Sequence, residues 1–286
     1  MTPARLLEQF NTVKTLPHVA IRLIKLISDE NSSIREFEEI IKMDPTLVLR
    51  LLRTVNSSYY GLHQKVDSIS RAVVFVGMKN LRNMVVTEAL KDVFEENAHN
   101  HIFSKSRLWL HCVAVSVCSQ MIAERIFTQN SEDVFLCGIL HDVGMIVENQ
   151  VANDLFIKTC KAHEPGSRSF TEIEKEVIGT DHAAVGRLLA RNWKLPVEIQ
   201  EGIWKHHREM ESVSPTSITG IIQMAEYIVS RLNYAAMPGM DAKLSPPLRV
   251  HISDNILEYK TLIQDIPGEM SNARDIYAFG GDKQHG

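Results

Sequence analysis

Thiols are scarce in this chain and poorly spaced for chemistry. The cysteines are Cys112, Cys118, Cys137 and Cys160, and no two have the spacing of a C-x-x-C redox motif or a zinc knuckle. Each falls in an apolar helical pattern, which implies free thiols packed as small hydrophobes in a reducing compartment. An excess of one charge is also missing. The 31 basic and 35 acidic residues leave a formal charge of −4, and residues 1–96 alone are close to neutral. Phosphate backbones and anionic lipid attract clustered cations, so neither nucleic acid nor membrane is expected as a partner. No apolar run approaches the length of a membrane span, and no apolar signal core follows Met1-Thr2-Pro3-Ala4-Arg5. A cytoplasmic location is the expectation. Strand-like alternation and Asn-Gly or Asp-Gly hairpin turns are absent too, so the pattern predicts an all-α protein, a multi-helix bundle.

What is present is a string of helix signals over 286 residues, 44% of them hydrophobic and 23% charged. Leu16-Pro17 opens a segment with Val19, Leu23, Ile24 and Ile27 on one face. Ser33 and Glu36 have capping-box spacing. Asp44-Pro45 pairs a cap with a proline at the first helical position, where its missing N–H costs nothing. The stripe Val48, Leu51, Leu52 and Val55 should be buried. Asn56-Ser57-Ser58-Tyr59-Tyr60-Gly61 reads as a turn. Ser68 caps a further helix that Gly77 punctuates. The polar stretch Glu95 to His101 suggests a boundary, with His99 and His101 on a solvated linker. The expected organisation is an N-terminal lobe of short helices over 1–98, a core of longer helices over 99–237, and a loop-rich tail over 238–286. A short helix near Asp254 to Ile263 would be the last. Trp109, Trp193 and Trp204 are expected in the core.

The second half concentrates imidazoles and carboxylates on helical stretches: His111, His141-Asp142, His182, His206-His207 and Glu226. Nitrogen and oxygen donors suit a first-row divalent metal where thiolate is not offered. Each residue also has an ordinary reading. His111 could be a satisfied core histidine, and Asp181-His182 a cap with its first-turn residue. His206 and His207 suit a helix C-terminus, where imidazolium meets the negative dipole end. Glu226 could be an ordinary polar helix residue. Only convergence would separate a metal cup from a helical interaction module with scattered histidines.

The motif order resembles bacterial HDOD domains. Leu16-Pro17, Asp44-Pro45, Asn56 to Gly61 and Val76-Gly77 to Leu81-Arg82-Asn83 carry the likeness in the first half. In the second half it rests on Gly138-Ile139-Leu140-His141-Asp142-Val143-Gly144, Asp181-His182-Ala183-Ala184-Val185-Gly186, and Leu195-Pro196 leading to His206-His207. The resemblance spans roughly residues 13–210 and implies an all-helical relative of the HD-type metal-dependent phosphohydrolases, usually a bacterial signalling or regulatory module. The ligand pattern of the related HD-GYP phosphodiesterases falls on His111, His141, Asp142, His182, His206, His207 and, with glutamate for aspartate, Glu226. Three positions depart from those enzymes. Met145 follows Gly144 where they carry lysine, Arg208-Glu209-Met210-Glu211 replaces Gly-Tyr-Pro, and Arg107 stands where they have glutamate.

If the cup forms, Asp142 is the natural bridge between two ions. His111, His141 and Glu226 would serve one, and His182, His206 and His207 the other. The donor set favours Fe, Mn, Zn or Ni, as one or two ions. Three functional readings follow. The first is a regulatory HDOD module with weak or no turnover, whose partner is a signalling protein or a small phosphorylated ligand. The second is an active metal-dependent phosphohydrolase on a nucleotide or cyclic dinucleotide, with Asp142 catalytic. The third, a nucleic-acid-binding helical protein, is disfavoured by the near-neutral first lobe.

Overall fold

The computed structural model describes residues 1–13, 22, 23, 26, 33–56, 64–91, 94, 102–164, 166, 168–240 and 242–277, and no strand occurs among them. Leu16-Pro17, Val19, Ile24 and Ile27, the turn 57–61 and the stretch holding His99 and His101 lie outside the described residues. Two compact units emerge. The larger comprises Met1–Leu16 and Val93–Gln264, the smaller Pro17–Asp92 and Asp265–Gly286.

In the smaller unit the local signals act as chemistry dictates. Helix α2 (Ile34–Lys42) starts at Ser33, whose side chain accepts from the Glu36 amide while Glu36 reaches back to the Ser33 amide. That reciprocal box satisfies two donors the helix cannot satisfy itself. Its inward residues Phe37, Ile40 and Ile41 are buried. Helix α3 (Pro45–Val55) begins at Asp44, which accepts from the amides of Thr46 and Leu47. Its buried stripe is Leu47, Leu51, Thr54 and Val55 rather than the expected set with Val48 and Leu52. The stripe is rotated by one position, and Thr54 tolerates burial because its hydroxyl donates to the Arg50 carbonyl. Asn56 closes the helix by donating to Leu52 O and pairing with the Val66 backbone. Helix α4 (Ile69–Lys91) is interrupted at Gly77, where φ 79° and ψ 153° break the spiral.

The larger unit carries the longer helices. Helix α1 (Pro3–Val13) packs on α7 (Val143–Val151) and α10 (His182–Asn192). Residues 1–13 therefore belong with the core helices rather than with those that follow them in sequence. Helix α5 (Lys105–Met121), capped by Ser104, runs into a π-turn over Ile122–Ile126. It packs closely on α6 (Glu132–Leu140) and on α12 (Ile218–Val229). Helices α8 (Asn153–Ala162) and α9 (Phe170–Val177) pair with each other, and α11 (Val197–Lys205) lies against α10 and α12. Ser131 precedes α6, but its hydroxyl bonds Glu124 Oε1 and caps nothing.

The end of the chain is more helical than its prolines imply. Pro246-Pro247 opens α13 (Pro246–Asp254), and α14 runs Ile256–Tyr277, well beyond the short helix expected near Asp254 to Ile263. Proline in the first turn loses no hydrogen bond, so the Pro-Pro pair starts a helix as readily as it marks a loop. One further expectation is corrected. The stretch Glu132–Val151 is long and apolar enough to cross a membrane by length and composition. In the fold 83% of its apolar window is buried, and the ionisable pair His141-Asp142 sits at its middle. Its hydrophobicity serves the protein core. Trp109 and Trp193 are buried, whereas Trp204 is only half-buried, between the guanidiniums of Arg187 and Arg208 at 3.7 and 4.1 Å. All four cysteines are free and buried.

Candidate metal centre

The helices of the larger unit bring the singled-out side chains together. His111 comes from the middle of α5. His141 and Asp142 occupy the turn between α6 and α7. His182 is the first residue of α10, positioned by Asp181, which accepts from the Ala184 amide at 2.7 Å. His206 and His207 follow α11 directly, and Glu226 lies in α12. Two neighbours on a helix point about 100° apart, so a doublet converges only where the spiral ends, as it does after Lys205.

Glycines let these backbones meet. A Cβ on Gly138 would lie 2.7 Å from the Ser116 Cα, so α6 contacts α5 at van der Waals distance. A Cβ on Gly144 would lie 2.0 Å from the His182 carbonyl oxygen. Only a hydrogen at those positions lets α6 approach α5 and α7 approach α10 closely enough for His111 and His182 to face Asp142.

The donor atoms fall into two groups, each within 4.8 Å: Asp142, His182, His206 and His207, and then His111, His141 and Glu226. Asp142 stands between them. One of its oxygens lies 3.2 Å from His182 Nε2 and 3.4 Å from His206 Nε2. The other lies 3.3 Å from His141 Nε2 and 3.5 Å from His111 Nε2. Glu226 Oε2 is 3.2 Å from His111 Nε2 and 3.4 Å from His141 Nε2. Donors sharing one ion at bonds of ~2.0–2.2 Å stand ~3.0–3.5 Å apart in tetrahedral or octahedral arrangements.

The imidazoles are oriented from behind. Each Nδ1 of four rings faces an acceptor: Tyr234 O at 2.7 Å for His111, Gly138 O at 2.7 Å for His141, Ile203 O at 2.6 Å for His206, and Glu174 Oε1 and Oε2 at 2.8 Å for His182. An Nδ1–H donated outward leaves the Nε2 lone pair facing the centre. Those lone pairs meet head to head, His111 to His141 at 3.1 Å and His182 to His206 at 3.4 Å. Two lone pairs cannot hold such a contact unless a proton or a cation lies between them. Both Asp142 oxygens and Glu226 Oε2 are buried without a hydrogen bond. The residues present therefore fit a divalent ion by donor type, spacing and unmet demand.

The electrostatics agree. Burial works against charge on Asp142, yet His141, His182 and His206 hold its carboxyl well below the usual range. Burial likewise opposes charge on Glu226, and His111 and His141 hold it low. Burial opposes charge on His141 as well, but Asp142 and Glu226 push it up to about 10. His182 is raised by Glu174 and Asp142 against the same burial penalty. Burial lowers His206 and His207, so both remain neutral donors. With no ion, protons on His141 and His182 balance the two acids. A cation would replace those protons.

Two buried acids escaped the sequence reading. Glu174 holds His182 at both its ring and its backbone amide, the latter at 3.2 Å. Glu148 lies beside Glu174 with both oxygens unpartnered. Burial first and then the Glu174 carboxylate push its pKa well above the usual range. A signal existed: Phe170, Ile173, Glu174 and Val177 recur at the spacing of a buried helical stripe, and an acid on such a stripe demands a partner. Of the three departures, Met145 is fully buried. Arg107 donates from Nε to the Ala235 carbonyl at 2.9 Å.

Comparison with known proteins identifies the family. The HDOD domain family model matches residues 13–209. A candidate phosphohydrolase from Shewanella amazonensis SB2B superposes with a TM-score of 0.70 at 25% identity, covering 95% of this chain and 96% of that one. A candidate signal transduction protein from Marinobacter aquaeolei VT8 superposes at 0.73 with 19% identity, over 91% of this chain and 59% of that one. An HDOD domain protein of unknown function from Geobacter sulfurreducens gives 0.65 at 23% identity, over 92% and 97%. The last two likenesses speak to the fold alone. Among curated relatives, an uncharacterized protein of Treponema pallidum (strain Nichols) is 23% identical over 205 residues, which is 71% of this chain and 39% of that protein. The chain thus spans well under half the length of that relative.

Proposed function

Because the chain belongs to the HDOD family, we propose that it is a signalling or regulatory module built around a divalent-metal cup, with little or no turnover. His111, His141 and Glu226 would hold one ion, His182, His206 and His207 the other, and Asp142 would bridge them. The observation that carries the metal reading is the approach of Nε2 atoms to 3.1 and 3.4 Å of one another beside buried carboxylate oxygens without a hydrogen-bond partner. The donor set suits Fe, Mn, Zn or Ni. A bound ion would supply Lewis-acid chemistry and lower the pKa of a water. The chain's own contribution is orientation. Glu174 and three backbone carbonyls fix the rings, and the bundle buries every proposed ligand but His207, which is only half-buried.

Low turnover is supported by what surrounds the cup. Met145 takes a position where a cation would face substrate phosphate in the enzymes the sequence resembles. Arg107 and Arg208 to Glu211 also depart from them. A second reading, an active phosphohydrolase on a nucleotide or cyclic dinucleotide, is favoured by the intact cup and by the likeness to the Shewanella protein. Elemental analysis of the purified protein and of His141→Ala tests the metal: about one to two equivalents are expected in the first and a clear loss in the second. Equal metal content in the two would sink the reading. Assays of Mn- or Fe-loaded protein on nucleotides and cyclic dinucleotides decide between the two functions. Robust turnover that Asp142→Ala abolishes would replace the first with the second.

A further inference from the structure

The larger unit contains a cavity of about 540 Å³ whose wall includes His207. Arg168, Arg231, Lys243 and Arg249 line it as well, and no described lining residue is acidic. In a chain with a net charge of −4, four cations and no acid among the described lining residues make a local inversion of charge. Two of the cations are partly neutralised from outside the wall, Arg168 by Glu176 and Arg249 by Glu209 at 3.4 Å. Arg231 stacks 3.6 Å over the Tyr227 ring and donates to the Tyr227 carbonyl. No salt bridge is formed by Arg231 or Lys243 among the described residues, although the Glu172 carboxylate acts electrostatically on Lys243 from nearby.

The wall also holds unmet hydrogen-bonding groups. Both ring nitrogens of His163 and Nε2 of His207 are buried without a partner. Buried nitrogens in folded proteins are nearly always partnered, so each calls for one. Phe170, Tyr227, Met240 and Leu244 supply apolar surface on the same wall. A volume of this size, apolar surface and a few convergent polar groups match a small-molecule site.

We propose that this cavity binds an organic phosphate of nucleotide size, its phosphate held by Arg231 and Lys243 beside His207. Guanidinium and ammonium groups are the ordinary recognition chemistry for phosphate oxygens. The cavity wall supplies cations that the buried Met145 position lacks. The proposal deepens the reading above and rests on it in one respect: His207 is shared between the cavity and the cup.

The probes are AMP and adenosine, titrated calorimetrically at low ionic strength into Mn-loaded and chelator-stripped protein. AMP should bind at least ~10-fold more tightly than adenosine, since only the phosphate engages the cations. The double variant Arg231→Ala/Lys243→Ala should lose ~10-fold or more of AMP affinity while it still melts cooperatively and keeps wild-type metal content. Both side chains are exposed, so folding should survive. No AMP binding, equal binding of AMP and adenosine, or AMP binding indifferent to the double variant would each overturn the proposal. A protein that holds no metal yet binds AMP through these cations would fail the metal reading alone. A metal-loaded protein that ignores AMP would fail this inference alone.

Discussion

Removing the carboxylate behind His182 is the sharpest probe of the cup. Glu174 is fully buried, and its oxygens lie 2.8 Å from His182 Nδ1, with one 3.2 Å from the His182 amide. Glu174→Ala would strand both donors in the interior. Each orphaned donor costs about 1–3 kcal/mol, so the variant should lose about 2–6 kcal/mol of stability. It would also free the His182 ring to rotate or change tautomer. Loss of such an outer partner weakens metal affinity ~10–100-fold, or about 1.4–2.8 kcal/mol. Glu174→Gln separates the two effects. Its amide oxygen still accepts from Nδ1, and it removes a negative charge beside Glu148, so stability should change by less than about 1 kcal/mol. Its metal affinity should still fall ~10-fold, because a neutral acceptor polarises the imidazole less. Thermal melts and chelator-competition titrations with Zn²⁺ read the two quantities separately. A Glu174→Ala protein that binds Zn²⁺ as tightly as wild type would refute the argument that this acid orients a ligand.

Three further outcomes are expected. Gly144→Ala would press a methyl against the His182 backbone, with contacts of 2.0 Å to O and 2.9 Å to Cα. It should cost at least about 1–3 kcal/mol in denaturant melts and deplete metal in the same preparation. The metal-free protein should weaken between neutral and alkaline pH. His141 is raised to about 10, so its contribution is complete below its unfolded value and vanishes as pH climbs through about 10. Metal-loaded protein should not show that decline, and metal binding should release protons, measurable by calorimetry in buffers of different ionisation enthalpy. Glu148→Gln should become more stable than wild type as pH rises. The Glu148 carboxyl is pushed up by burial and Glu174, so wild type loses stability from the ordinary glutamate range upward through the raised value. Denaturant melts at acidic and alkaline pH that show a constant difference would contradict this.

Much of the architecture was legible because its rules are local. The Ser33-Glu36 box, the Asp44-Pro45 start, the break at Gly77 and the Asp181 cap each depend on residues within one turn of helix. The donor types at His111, His141, Asp142, His182, His206, His207 and Glu226 could be read the same way, since a side chain's chemistry is a property of the residue. Where an element depended on what it packs against, the local reading slipped. The α3 stripe turned by one position, and Pro246-Pro247 began a helix.

Convergence is a different matter. His111 and Glu226 lie more than a hundred positions apart in the chain, and only the packed bundle sets their 3.2 Å approach. The tertiary structure also decided that Glu174 stands behind His182, that Glu148 is buried beside it, and that four cations share one wall with His207. Spacing along a chain encodes which face of a helix a residue takes. Distances between helices are set by which side chains fit at their contacts, as the missing Cβ of Gly144 against His182 shows.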